Sequence, residues 1–171
     1  MRLLYQKASF DNVSEIMGLI QGAILNMEKH GIYQWDKLYH TEEDIVNDIS
    51  NGESNGELYI GKVEDIIAVI YVINKSYDVE YHNGDWQYPN AEYRIIHRLC
   101  VHPEYQQKGI EKMTMQYIEN ELRQSNVEAI RLDAFMENPH ALKLYQNLKF
   151  SIVGHADWRK GRFYLMEKYI K

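Results

Sequence analysis

The sequence predicts one α/β domain over residues 1–171, in which a mixed, mostly antiparallel sheet of about seven strands carries helices on both faces. Three observations support this prediction. Strand-like and helix-like segments follow one another in the order β-α-α-β-β-β-α-β-α-β-β. The run from Glu92 to Val101 is apolar at both alternating sets of positions, which is typical of a central strand covered on both faces. A helix-like segment separates this run from a strand at 129–134, and such a crossover makes the two strands parallel.

The first part of the chain predicts one strand and two helices. Residues 2–8 are expected to form the strand. Asp11 is in position to cap a helix that ends near Gly31, because the apolar residues between them recur at the i, i+3, i+4, i+7 spacing of an amphipathic helix. These apolar residues are Val13, Ile16, Met17, Ile20, Ile24 and Met27. Thr41 and Asp44 have the spacing of a capping box and predict a second, shorter helix.

The rest of the chain alternates strands and helices. A polar, aromatic loop is expected from Asn74 to Asn90. Apolar side chains recur at helical spacing after Gly109, and Asn138-Pro139 is typical of a helix start with Pro in the first turn. The strands of this part are predicted at 57–63, 66–73, 92–101, 129–134, 151–155 and 162–169, the first two as a hairpin.

Composition and charge exclude several classes of function. The 171 residues carry 25 acidic and 19 basic side chains, with a net charge of -6 and no basic run. Nucleic acid is therefore not expected as a partner, whereas an acidic surface suits a cationic amine. Cys100 is the one cysteine, so an intrachain disulfide and a thiolate metal cluster are excluded, and no metal site is expected. Because no apolar run has the length of a signal-peptide core or a membrane span, we expect a cytoplasmic protein without membrane contact.

The segment from Arg98 to Lys112 carries the most informative pattern. A central strand ends at Val101, a turn follows, and a helix begins near Gly109. The first backbone N–H groups of a helix have no partner within the helix and lie at the positive end of its dipole, so they can bind a phosphate or pyrophosphate. A glycine lets the backbone approach such a ligand closely. Most turns of this kind bind nothing, so the turn alone assigns no function.

The residues around this turn resemble the coenzyme A loop of the GNAT acetyltransferase family, in which Gln or Arg, two residues, Gly, one residue, and Gly or Ala follow one another. Gln106 and Gly109 match the first two fixed positions. A second stretch is similar to another motif of the family at the expected distance: Asn138-Pro139-His140-Ala141, Leu144-Tyr145 and Leu148-Lys149-Phe150. Two positions depart from the pattern. Glu111 stands where the family has Gly or Ala, and Lys149 replaces the Gly that precedes the Phe.

The resemblance implies acetyl-coenzyme A as co-substrate and a small-molecule or peptide amine as acceptor. The residues expected to bind the coenzyme are Leu99, Val101, Gln106, Gln107, Lys108, Gly109, Ile110, Glu111, Lys112 and Asn138. Glu111 favours the helix dipole by about 0.3–1 kcal/mol, but it repels a pyrophosphate unless its side chain turns outward. Lys108 and Lys112 could offset that repulsion.

Acetyl transfer also needs a neutral amine. An amine of pKa ~10.4 is neutral in about one molecule in 2,500 at pH 7, so a base is expected to help. The resemblance places a Glu or His of some members at the level of Ile95 or His97, which leaves His97 as the candidate base, with Glu92 in reserve and bulk water as the alternative. Tyr145 matches the tyrosine that often donates a proton or hydrogen bond to the departing thiolate. Structural alternatives are a buried neutral His97 holding a backbone carbonyl and a Tyr145 that only packs.

Other hypotheses stay open from sequence alone. The chain could be a degenerate GNAT-type module that binds coenzyme A or a partner without transferring a group, and Glu111 motivates this alternative. A P-loop is disfavoured, because neither a long Gly-rich loop nor a Lys-Ser/Thr pair is present. Aromatic and acidic side chains in the 74–90 loop could hold a cationic amine or simply pack onto the sheet. Polyamine, antibiotic, amino acid and protein N-terminus remain candidate acceptors, and a homodimer is compatible with the sequence.

Overall fold

The structure, a computed structural model, describes residues 1–50 and 57–171. Its helices and strands follow the predicted order. They are β1 Leu3–Lys7, α1 Val13–Lys29, α2 Glu42–Ser50, β2 Leu58–Val63, β3 Ile66–Asn74, β4 Tyr93–Val101, α3 Ile110–Gln124, β5 Ala129–Phe135, α4 Pro139–Asn147, β6 Ser151–Trp158 and β7 Gly161–Tyr169. Short 3-10 helices lie at Phe10–Asn12, Val79–Asn83 and Pro103–Tyr105.

The strands form one seven-stranded sheet in the order β1-β2-β3-β4-β5-β7-β6. β4 is the fourth strand of the seven, so its predicted central position is confirmed. β4 and β5 are parallel, with Tyr93 opposite Ala129 and Ile95 opposite Arg131. The pairs β1–β2, β2–β3, β5–β7 and β6–β7 are antiparallel. The sheet is therefore mixed and mostly antiparallel, as the sequence predicts.

The described residues form two compact units. The first consists of Met1–Asn74 with Arg98–Thr114, and the second of Lys75–His97 with Met115–Lys171. None of the helices in the described part of the chain is both long and apolar enough to cross a bilayer. The assignment of 1–171 to one domain stays a prediction.

Successive residues of β3, and likewise of β4, pack into two different hydrophobic cores of the first unit. Ile70 and Cys100 pack into a cluster with buried side chains of α1 and α2. Val69 and Val101 pack instead against Ile110, the first residue of α3. Successive side chains of a strand point to opposite faces of the sheet, so α1 and α2 cover one face and the start of α3 covers the other. Helices on both faces are thus confirmed.

In the second unit the loop between β3 and β4 packs partly onto the sheet. Tyr81 is 4% exposed and shares a buried cluster with Ile95 of β4, and Trp86 packs against this cluster. Tyr77 and Tyr88 remain 46% and 41% exposed. The packing interpretation of the aromatic loop therefore holds for Tyr81 and Trp86, while other rings of the loop stay accessible.

The two predicted helix starts have different outcomes. The capping box of α2 is confirmed, because the Thr41 N–H donates to Asp44 Oδ2 at 2.8 Å and the Asp44 N–H donates to Thr41 Oγ1 at 3.2 Å. The prediction that Asp11 caps α1 is wrong. Ser9 has the extended conformation that opens the helical segment, Asp11 lies inside the 3-10 turn, and Asn12 precedes α1.

Candidate active site

The turn between β4 and α3 exposes its backbone at the start of a 15-residue helix. Gln107 has a φ of 60° and Gly109 a φ of 77°, both in the left-handed region. A Cβ built on Gly109 would meet no protein atom within 4 Å. Glycine at this position is therefore favoured by the backbone conformation, and the space beside its Cα is open. A phosphate group can approach the N–H groups of the first turn of α3 from that side.

The side chain of Gln106 connects the turn to other parts of the first unit by hydrogen bonds. The Asn26 amide on α1 donates to Gln106 Oε1 at 2.8 Å, and Gln106 Nε2 donates to the Val101 carbonyl at 3.4 Å. The side chain thus links α1, the end of β4 and the turn. The contact of Gln106 with the coenzyme stays a prediction. The two hydrogen bonds show that its side chain holds the turn in position.

The charged side chains of the turn lie on its exposed surface. Lys108 places its Nζ 5.1 Å from the centroid of the Tyr105 ring, a cation–π distance. Glu111 and Lys112 in the first turn of α3 are exposed. Pyrophosphate binding at this turn requires the Glu111 carboxylate to turn away from the first N–H groups of α3.

Arg98 interrupts the regular extended conformation of β4. Its φ is 54°, whereas strand residues have strongly negative φ. Its Nε donates to Asp48 Oδ2 on α2 at 2.6 Å, and its NH1 group donates to Nδ1 of His40. Arg98 and Asp48 expose only 15% and 13% of their side chains, so the pair is largely buried.

The last three residues of β4 follow Arg98 and belong to the first unit. Leu99 is partly buried and packs with Val101 beside α3. Cys100 faces the opposite core, and burial raises the pKa of its thiol well above the ordinary value. A thiol that stays protonated is a poor nucleophile, in agreement with the prediction that Cys100 is an inert core residue.

Glu92, the reserve candidate base, lies between two basic side chains. Its Oε1 lies 2.7 Å from Lys75 Nζ and 2.5 Å from an Arg94 nitrogen, and the carboxylate is exposed. The hydrogen bond from Lys75, followed by that from Arg94, lowers its pKa, so it holds a proton less readily than an ordinary Glu. His97 is partly buried in β4. As candidate bases, both stay predictions.

Asn138 and Tyr145 belong to α4 in the second unit. Asn138 Oδ1 accepts a hydrogen bond from the Ala141 N–H at 3.2 Å, so the predicted cap is confirmed. Tyr145 is 8% exposed and its ring meets Phe150 edge-on with centroids 5.9 Å apart. The packing role of Tyr145 is thus evident, and its role at the thiolate stays a prediction.

Lys149 shows why the family motif has glycine before the Phe. Its φ is 72°, in the left-handed region that glycine occupies without strain. The Phe150 N–H donates to the Tyr145 carbonyl and the Lys149 N–H to that of Gln146, each at 3.0 Å. These are the hydrogen bonds of a Schellman motif that ends α4. The departure from the pattern therefore strains the end of this helix.

Asp133 on β5 is not among the site residues predicted from the sequence. The Tyr81 hydroxyl donates to Asp133 Oδ2 at 2.6 Å. Burial raises the pKa of this carboxyl to about 6, although the Tyr81 hydrogen bond lowers it. The acidic and aromatic composition of the loop that contains Tyr81 was the one available signal. In residues 1–50 and 57–171 no three His, Cys, Asp or Glu side chains come together as metal ligands would.

The mixed seven-stranded sheet, with a turn from its central strand into a helix, is also the fold of solved GNAT-family acetyltransferases. Residues 27–150 match the family model described as acetyltransferase (GNAT) family. The chain therefore belongs to the GNAT acetyltransferase family, as its motifs predicted.

Solved structures share this fold over the whole chain. A GNAT-family acetyltransferase from Streptococcus agalactiae is 19% identical, with a TM-score of 0.81 and coverage of 99% of this chain and 96% of that one. A putative acetyltransferase from Staphylococcus aureus is 23% identical, with a TM-score of 0.75 and coverage of 98% and 99%. The PaiA N-acetyltransferase from Thermoplasma acidophilum, in complex with coenzyme A, is 16% identical, with a TM-score of 0.73 and 99% coverage of both chains. No curated protein matches the sequence significantly.

Proposed function

We propose that this protein transfers the acetyl group of acetyl-coenzyme A to a primary amine. The observation that carries the proposal is the turn from β4 into α3. At this turn of a GNAT-family chain, Gly109 has a left-handed conformation and open space beside its Cα. The start of α3 next to it is exposed. The crystal structure of the Thermoplasma relative with coenzyme A supports coenzyme A as the ligand class.

In this proposal the first unit binds the coenzyme. The N–H groups of Ile110, Glu111 and Lys112 hold the pyrophosphate, because the first turn of a helix offers unpaired donors at the positive end of the dipole. Lys108 and Lys112 are exposed beside them and add positive charge. Backbone groups of β4 near the end of the strand receive the pantetheine arm by strand-like hydrogen bonds.

The chemistry is a direct displacement on the thioester. The ammonium form of the acceptor must lose a proton before the nitrogen lone pair can form the bond to the carbonyl carbon. The C–S bond then breaks with its electron pair on sulfur, and the nitrogen loses a second proton to the thiolate or to water. An unperturbed histidine side chain has a pKa of ~6.5, which suits a general base, and His97 is the sequence candidate for the first proton. Tyr145, on α4, is proposed to donate a hydrogen bond to the thiolate. Since a phenol of pKa ~10 is a weaker acid than a thiol of pKa ~8.5, stabilisation of the thiolate is the larger effect.

The proposal is tested in two steps. Acetyl-coenzyme A at a hundredfold excess over its dissociation constant should stabilise the fold by about 2.7 kcal/mol, which thermal melting detects. Release of free thiol is then followed with a panel of primary amines. Tyr145→Phe should slow this release while leaving the melting shift unchanged, because it affects only the developing thiolate. Tyr71→Phe, in a buried ring pair of the first unit, is the control and should retain the rate.

The degenerate module is the second candidate, and Glu111 is the residue that favours it. A melting shift without thiol release from any amine would support that module. The absence of both effects would contradict coenzyme binding altogether. Glu111→Gly should tighten coenzyme binding if the carboxylate faces the pyrophosphate, and unchanged affinity would indicate that it points into solvent.

A further inference from the structure

Asp133 is a partly buried carboxylate held in one orientation. It lies on β5 between Leu132 and Ala134, which expose 1% and 2% of their surface. The Tyr81 hydroxyl donates to its Oδ2 at 2.6 Å, and Tyr81 itself is 4% exposed. The Tyr81 N–H donates to the Asp78 carbonyl at 3.0 Å, so the tyrosine is fixed at both ends. One carboxylate oxygen is therefore held by a hydrogen bond, and the fold sets the orientation of the carboxylate group.

The negative charge of Asp133 has no positive counterpart within the described part of the chain. No Lys, Arg or His side chain of the described residues pairs with it, and the nearest charge that acts on it is a second carboxylate, Asp78. Arg131, two residues earlier on the same strand, pairs with Glu167, with its Nε 3.2 Å from Oε2, and its guanidinium lies 4.5 Å from the centroid of the Trp86 ring. Burial, aided by Asp78, raises the pKa of Asp133 to about 6. Buried charges in proteins are normally paired, so this position favours a cationic ligand.

Aromatic rings surround the tyrosine that holds this carboxylate. The Tyr81 ring centroid lies 5.8 Å from that of Tyr77, 5.6 Å from Trp86 and 6.3 Å from Trp158. Trp158 Nε1 is buried and has no hydrogen-bond partner among the described residues. Ring faces attract ammonium groups, and a few oriented polar atoms within an aromatic lining are typical of small-ligand sites. Because the Trp86 ring already faces the Arg131 guanidinium, Tyr77 and Trp158 are the rings of this cluster that fit an ammonium group carried on an apolar or extended chain.

We propose that Asp133, oriented by Tyr81, binds the ammonium group of the acceptor and takes up its proton. This inference rests on the proposed function and assigns the proton to Asp133 instead of His97. The proton passes from the R–NH3⁺ group to the carboxylate, and the nitrogen lone pair forms the new C–N bond with the thioester carbonyl carbon. The C–S bond breaks with its electron pair on sulfur, and Tyr145 donates a hydrogen bond to that sulfur. The nitrogen, now bonded to the carbonyl carbon, loses its second proton to the departing thiolate or to water. Asp133 then returns its proton to solvent.

The test compares charged probes with uncharged analogues of similar shape. The probes are 2-phenylethylamine and 1,4-diaminobutane, and their analogues are 2-phenylethanol and 1,4-butanediol. Binding is measured by tryptophan fluorescence at pH 7, and transfer by mass spectrometry of the acetylated amine. Wild-type protein should bind at least one amine tenfold or more tighter than its alcohol. Asp133→Asn should abolish this preference and lower kcat/KM by a factor of about 10²–10⁴, the range for one acid–base group.

Two further variants make the result decisive. Tyr81→Phe keeps the carboxylate but removes its fixed orientation, so it should lower kcat/KM less than Asp133→Asn does. Asp157→Asn removes an exposed carboxylate paired with Arg162 and should change neither binding nor rate. If Asp133→Asn fails to fold, Tyr81→Phe decides, and an unchanged amine preference and rate in that variant would overturn the proposal.

The outcomes separate this site from the proposed function. Acetylation that persists unchanged in a folded Asp133→Asn variant overturns the site and leaves the transferase proposal intact. Amine binding that depends on Asp133 without any acetylation supports the site and refutes the transferase proposal. Equal binding of amines and alcohols to wild-type protein, or no binding of either, overturns the site.

Discussion

The Tyr81 hydroxyl donates a 2.6 Å hydrogen bond to Asp133, and this bond joins the loop before β4 to the middle of β5. The bond stabilises the ionised carboxylate only in part, because burial outweighs it and the pKa of Asp133 stays raised to about 6. A carboxylate with this pKa is mostly ionised at pH 7 and can still accept a proton.

Asp133→Asn should raise the free energy of unfolding, and more so at high pH. In the folded protein the pKa is about 6, against an ordinary value of 3.8. The folded state therefore binds the proton more strongly than the unfolded state. The loss of stability caused by the ionised group is complete above pH 6 and becomes smaller as the pH falls toward 4. The gain from the variant should be about 1–3 kcal/mol at pH 8 and about 1 kcal/mol smaller at pH 5, as urea unfolding at both pH values can show. An equal gain at both would contradict the raised pKa.

Lys149→Gly should stabilise the protein by about 1 kcal/mol, because glycine adopts the left-handed conformation that Lys149 occupies with φ 72°. Asn126→Gly is the matched control, with a similar φ of 62° at a residue type that tolerates this region. It should gain less. Thermal melting of both variants measures the difference, and a destabilised Lys149→Gly would show that its side chain makes contacts worth more than the strain.

Much of the fold was predictable because its signals are local. The period of apolar residues predicted α1, the capping box predicted α2, and the two-sided apolar run predicted the central position of β4. The left-handed Arg98 and its pairing with Asp48 were not predictable, since 50 residues separate the partners and neither lies in a motif. Asp133 was missed for the same reason, because its importance depends on burial and on the distant Tyr81.

Asp48→Asn should destabilise the first unit by about 2–4 kcal/mol, because it leaves the largely buried Arg98 guanidinium without its carboxylate. Asp157→Asn provides the comparison. It breaks an ion pair of the same residue types in which the two side chains expose 45% and 62%, and solvent screening should make its effect small. Urea unfolding at pH 7 distinguishes them, and similar losses in both variants would indicate that burial of the Arg98 pair matters little.

Gly109→Ala should weaken binding of acetyl-coenzyme A by at least tenfold while costing about 1 kcal/mol of stability. Gly31→Ala has the same structural consequences outside the turn, because Gly31 has a φ of 74°, and neither Cβ would meet a protein atom within 4 Å. Calorimetric titration of both variants should show a loss confined to Gly109→Ala. Equal affinities would mean that the coenzyme does not approach the backbone at this turn.

The most direct measurement of the central claim is the fate of an isotopically labelled acetyl group. Wild-type protein is mixed with acetyl-coenzyme A labelled in the acetyl group and with a panel of primary amines, and the products are identified by mass spectrometry alongside assay of free thiol. We expect the label in an amide of at least one amine, with one thiol released per amide formed and no product from the matched alcohols. Stable binding of the coenzyme without labelled amide from any amine would contradict the account and identify the chain as a coenzyme-binding module.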